Sequence, residues 1–109
     1  MFPSSLSTLA EEQLALARAT GSGRSARTVH GGPTTPLRQT LVALAAGHAL
    51  AEHASPGDAT LQILRGRVRL VAGDRSWPGS AGDLLVIPDT RHALHADEDS
   101  VVLLTVARG

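Results

Sequence analysis

The sequence predicts an all-β domain, a barrel or sandwich of short strands, with one short α-helix ahead of it. Three observations predict this. Beyond Pro36, short apolar runs recur between Gly, Pro and Asp turns and no helical pattern remains. Helical spacing of apolar residues is confined to residues 4–20. And the alternation of buried and polar positions changes phase at Gly66, as a strand does where a barrel turns a corner.

The helix has its start signal at Ser4 or Ser5, with Thr8 and Glu11 as a second capping-box option. Leu6, Leu9, Ala10, Leu14 and Ala17 form one apolar stripe, and Gly21 supplies the stop. Such a stripe has to be covered, by the domain itself or by a second subunit. The chain therefore divides into residues 1–24, a helix and linker, and residues 25–109, the barrel domain. Gly21–Arg24 and Gly31–Pro36 are loops, and Ser25–His30 between them is an extended arm.

Strands are expected at Leu37–Ala45, Thr60–Val71, Asp83–Pro88, His92–Ala96 and Ser100–Ala107. Before Gly66, Leu61 and Ile63 share one face; after it, Val68 and Leu70 do, with the opposite parity. Leu64 and Gln62 then face outward, and that outer face should meet another sheet or a partner. Arg67 and Arg69 are expected as solvated strand positions.

Composition narrows the function classes. All 10 basic residues are Arg and there are 10 acidic residues, so the net charge is zero. Nucleic-acid binding draws most of its affinity from a basic excess, which this chain lacks. There is no Cys, so no disulfide and no thiol chemistry. No apolar run is long enough to cross a membrane, and Met1–Ser5 lacks the basic region of a signal peptide. A cytoplasmic protein is expected. Phe2 and Trp77 are the sole aromatics, too few for base or sugar stacking.

Two segments carry a family resemblance. In Gly47–Gly66 a glycine opens the stretch, His53 follows, and a glycine closes it; Gly82–His92 reads Gly-Asp, an apolar run, Pro88, a short turn and a histidine. These resemble the first and second motifs of the cupins, with Arg67–Ala81 as the short hairpin between them. The resemblance covers roughly residues 37–107 and implies a double-stranded β-helix, the cupin jelly roll. Asp83 reads as a turn residue.

In cupins two histidines and a carboxylate from the first motif join the histidine of the second to bind a divalent metal. Carried over by position, the resemblance places His53 and His92 as ligands. Ser55 stands at the second histidine position and Ala59 at the carboxylate position. Two imidazoles are fewer than the three protein ligands of a catalytic zinc site or the two histidines and carboxylate of a non-haem iron site. Glu52 is on the wrong face of a regular strand to complete the set, and Asp58 follows a Pro56-Gly57 turn. His48 and His95 have the wrong parity, and His30 lies on the arm.

Three functions follow from these readings. The first is a small-molecule-binding monocupin, with a pocket lined by His53, Leu61, Ile63, Val86, His92 and Leu94. The second is a metal-dependent dioxygenase or isomerase using His53, His92 and a third group, with Fe, Mn, Ni or Zn as the metal. The third is an assembly module, a homodimer held through the arm Ser25–His30 and the outer face at Leu64.

Overall fold

The structure is a computed structural model that describes residues 3–54 and 57–108, residue 53 by its backbone alone. Ser55 and Phe2 thus lie outside the described residues. Among those described, one helix and nine strands follow in the order α1 (Leu6–Ala19), β1 (Arg24–His30), β2 (Leu37–Leu44), β3 (Ala49–His53), β4 (Asp58–Arg65), β5 (Arg67–Ala72), β6 (Arg75–Ser80), β7 (Leu84–Val86), β8 (His92–Ala96) and β9 (Ser100–Ala107).

The strands form two antiparallel sheets, one ordered β1-β2-β9-β4-β7 and the other β3-β8-β5-β6. The space between them holds the main core, which includes Val42, Leu44, Leu61, Ile63, Val68, Leu70, Leu94, Val102 and Val106. Trp77 packs at its margin, with the Arg75 guanidinium carbon 5.1 Å from the ring centroid. This is the all-β architecture that the strand pattern predicts, in the jelly-roll form that the cupin resemblance implies.

The stretch Thr60–Val71 is two strands rather than one. β4 belongs to the first sheet and β5 to the second, and the chain crosses between them at Gly66. Gly66 has φ +83°, and a Cβ there would collide with Asp99 O and Ser100 Oγ. The register of β4 against β9 shifts between Ile63 and Arg65. That bulge, with the turn at Gly66, moves the inward parity from Leu61 and Ile63 to Val68 and Leu70. Similarly, the expected arm is a full edge strand: β1 pairs with β2 from Arg24 to His30. Strands β3 and β6 go beyond the runs expected from the sequence, because neither alternates cleanly between apolar and polar residues.

Ser5 is the N-cap of α1; its side chain accepts the Thr8 backbone N–H at 3.2 Å. The helix lays Ala10, Leu14 and Ala17 over Leu41, Ala43, Val101 and Leu103, on the outer face of the five-stranded sheet. Leu64 packs against the same cluster. Leu64 on the outer face is therefore partly covered by the chain's own helix, while Gln62 is exposed. The stripe and the outward residues found each other because β2 and β9 are apolar on both faces.

A carboxylate fixes the helix end. Asp99 Oδ2 accepts Arg18 Nε at 2.7 Å, and Asp99 Oδ1 accepts the Ala46 backbone N–H at 2.8 Å. The Ala46 hydrogen bond first, and then the Arg18 guanidinium, hold the Asp99 carboxyl below the ordinary aspartate value. Arg67 and Arg69 are solvent-facing and pair with Glu98 and Asp97 at 4.0 and 3.0 Å.

Candidate functional site

The second-motif histidine is built into the interior end of β8. His92 is 2% exposed and shares the inward row of Leu94 and Ala96. The ring Nδ1 lies 2.9 Å from the Thr90 carbonyl oxygen. A carbonyl only accepts, so Nδ1 carries the proton and, in the neutral ring, Nε2 carries the lone pair. This contact is local, made within the turn that leads from Pro88 into β8.

Across the sheet, β3 and β8 pair Leu50 with Leu94 and His53 with His92, with a register shift between the two pairs. The backbone thus brings together the two histidine positions that the motifs place together. Glu52 stays outside: its carboxylate accepts Arg91 Nε at 3.0 Å, and both residues are exposed.

The facing sheet brings its own row to this end. Ala59, 3% exposed, is opposite Val106 on β9, and Val106 is opposite Arg38 on β2. The Ile87 N–H donates to Ala59 O at 3.0 Å, extending the row past the end of β7. Ile87 and His92 are separated only by residues 88–91, and β4 begins beside the end of β7, where Thr60 pairs with Val86, so the Ala59 row and the His92 row share one end of the sandwich.

Of the other residues expected in the pocket, Leu61, Ile63 and Leu94 are packed in the core between the sheets, at 4%, 1% and 2% exposure. Val86 is not an interior residue. β7 pairs Leu61 with Leu85 and Thr60 with Val86, so Leu85 faces the core while Val86 is 71% exposed on the outside. An uninterrupted run, Leu84–Ile87, carries no polar residue to reveal its parity, and the register alone decides it.

The remaining histidines are elsewhere. His48 is exposed, its ring laid over Gly23, whose φ is +67°. His95 pairs with Ala49 and Arg69, on the face of β8 opposite His92. His30 is exposed and stands opposite Gln39, whose side chain bonds Thr105 on the outer face. Asp58 is exposed as well.

These placements test the metal that the motif resemblance implies. The carboxylate position is a buried alanine, Glu52 is engaged with Arg91 on the outside, and among the described residues no three His, Asp or Glu side chains converge. The donors among the described residues do not make the set of a resident metal centre and do not fit it.

One residue of this end is absent from the expected site. Arg38 sits on the inward row of β2, in line with Val42 and Leu44. Its parity is obscure in sequence because Leu41 and Ala43, on the other face, are equally apolar. A separate cleft of about 280 Å³ opens between the edges of β1 and β3, lined by Ser22, Arg24, Ser25, Ala26, Val42 and Leu50.

The fold defines the class: a two-sheet antiparallel jelly-roll barrel with a histidine buried at one end. No protein-family model matches the sequence, and no curated protein is similar to it. Solved structures are similar. A conserved protein of unknown function from Streptococcus pyogenes is 28% identical, over 83% of this chain and 78% of that one, with a TM-score of 0.72. An RmlC-like cupin protein from Desulfovibrio desulfuricans is 28% identical, over 77% of this chain and 81% of that one, with a TM-score of 0.67. The salicylate 1,2-dioxygenase of Pseudoaminobacter salicylatoxidans is 19% identical, over 92% of this chain but 32% of that enzyme, with a TM-score of 0.77. The chain has the fold of a small cupin jelly-roll domain.

Proposed function

We propose that this domain is a monocupin that binds a small molecule at the end of the barrel marked by His53 and His92. The observation that carries the reading is His92: an imidazole, 2% exposed, held by Thr90 on the interior row and set at the same end as the small Ala59. A ligand, not a resident metal, is the natural occupant where the carboxylate position is an alanine. Metal analysis of protein purified without added metal, and again after incubation with Fe(II), Mn(II), Ni(II) or Zn(II), tests it. Substoichiometric metal throughout, with loss of ligand-induced thermal stabilisation in His92→Ala, supports binding. Stoichiometric metal that disappears in both His53→Ala and His92→Ala overturns it in favour of a metal-dependent dioxygenase or isomerase.

A second reading is self-association as a homodimer, favoured by Leu84 and Val86, 61% and 71% exposed side by side on the outer face of edge strand β7. This face adds to the arm, which is edge strand β1 paired on one side with β2, and to Leu64, which packs against the helix cluster. Light scattering at micromolar concentration decides it: a monomer refutes the dimer, and Val86→Ser should weaken one that forms. No helix among the described residues is long and apolar enough to cross a membrane. We place the protein in the cytoplasm, which fractionation of the expressing cells tests.

A further inference from the structure

We propose that the ligand of this end of the barrel is a small organic anion, a carboxylate on an apolar body, and that Arg38 receives the carboxylate. The inference rests on the binding reading above and names its ligand class.

Arg38 lies inside. β2 sends Val42 and Leu44 into the core, and Arg38 continues that inward row; its strand partner Val106 is itself 7% exposed and part of the core. The side chain's Nε is buried and has no hydrogen-bond partner. Arg24 and Arg108 are exposed, and this sets Arg38 apart from the remaining seven arginines. Arg18, Arg27, Arg65, Arg67, Arg69 and Arg91 each face a carboxylate within 4.0 Å, and Arg75 lies over Trp77. Among the described residues no carboxylate pairs with Arg38.

A buried guanidinium Nε without an acceptor is costly, and the acceptor that satisfies it best is a carboxylate held by two parallel N–H donors. The chain does not provide one. Along the row from Arg38 the inward positions are Val106 and Ala59, followed by Ile87, all apolar. The residue two strands away, where a carboxylate would neutralise Arg38, is Ala59. The same alanine that removes a metal ligand therefore leaves a cation and an apolar wall. That pairing selects an anion with a hydrocarbon body over a sugar or a free metal ion.

The test uses the full chain and calorimetric titration with benzoate and hexanoate, each matched to its neutral counterpart, benzamide and hexanol. Saturable binding of a carboxylate is expected, at least tenfold tighter than the neutral match. Arg38→Gln should lose at least tenfold in carboxylate affinity and leave the neutral match unchanged. Arg38→Lys, which keeps the charge but not the fork, should fall between. Arg24→Gln, at the lateral cleft, should bind as the wild type does. Arg38→Gln removes a buried donor without a partner, so its melting temperature should be no lower than that of the wild type; that measurement separates lost binding from lost folding. Carboxylate affinity unchanged in a folded Arg38→Gln overturns the proposal. Neutral probes binding as tightly as the anions, and lost in His92→Ala, overturn it while the binding reading stands. No saturable binding of any of the four probes overturns both.

Discussion

Gly66 is where the chain leaves one sheet for the other, and replacing it with alanine measures how tightly that crossing is built. Two separate costs arise. The first is conformational: at φ +83° a residue with a Cβ is strained by about 1–2 kcal/mol. The second is steric. The new Cβ would meet Asp99 O and Ser100 Oγ, and Ser100, 1% exposed, is not free to withdraw. Its hydroxyl accepts the Arg67 N–H at 3.0 Å and donates toward Glu98 O at 2.7 Å. Displacing it leaves a buried donor unpaired, at about 1–3 kcal/mol. The sum is about 3 kcal/mol, a large share of the roughly 5–15 kcal/mol that holds a typical domain together. Gly73→Ala is the matched control: φ is +61° but nothing lies within 4 Å of its Cβ, so only the first cost applies. Urea unfolding followed by circular dichroism compares the two. With a slope of about 1–2 kcal/mol per molar for a small domain, Gly66→Ala should lower the midpoint by about 2 M, and Gly73→Ala by about 1 M. Equal midpoints for the two variants would show that the approach to Ser100 is not what demands glycine, and would refute the reasoning.

Other perturbations separate the layers of the molecule. Leu14→Ala empties a 3% exposed position between helix and sheet and should cost about 2–4 kcal/mol, whereas Leu16→Ala, at 52% exposure, should cost less than about 0.5 kcal/mol by the same urea measurement. Leu85→Ala should destabilise by about 2 kcal/mol and Val86→Ala hardly at all, which checks the register of β7. Because the folded-state pKa of Asp99 is lowered, its contribution is present above the ordinary value of 3.8 and is lost as pH falls through the lowered one. Asp99→Ala should therefore be less stable than the wild type at pH 7, and the gap should close as both are acidified below about pH 3.

The sequence made the fold legible where residues act through the backbone. Gly66 and Pro88 mark a crossing and a strand end whatever packs around them, and β8 and β9 fall where their apolar runs predict. The helix stripe was equally plain; what covers it was not, since Leu64 looks outward from the barrel whether a helix or a second subunit waits there. Parity failed where apolar residues are continuous. Leu84–Ile87 gives no clue to which members face inward, and so Val86 was placed inside when Leu85 belongs there. The same ambiguity in Leu41–Leu44 hid Arg38, because a strand buried on both faces shows no alternation against which a charged residue stands out. The pairing of positions 53 and 92 was read from the motifs alone; the register shift in β3 that achieves it has no signature in Ala49–His53.

Fold and chemistry separate in this domain because different atoms carry them. The barrel depends on glycines at positive φ, on a strand-ending proline and on inward apolar rows, none of which requires a ligating side chain. A carboxylate at position 59 would be needed by a metal but not by the fold; an alanine there, 3% exposed against Val106 and Ile87, packs at least as well. Losing it spares the barrel the desolvation of a buried carboxylate, a cost of several kcal/mol unless the charge is paired. It also changes what the end of the barrel can hold. With a carboxylate at 59, Arg38 has an internal partner and the row is neutral; with alanine, the cation is left over. Restoring the acid therefore offers a direct comparison. Ala59→Glu should abolish carboxylate binding by occupying Arg38, and Ala59→Glu combined with Arg38→Gln should be markedly less stable than either single variant, by about 3 kcal/mol or more, because it buries an unpaired charge. Additive stabilities in that cycle would mean that positions 38 and 59 do not share one site.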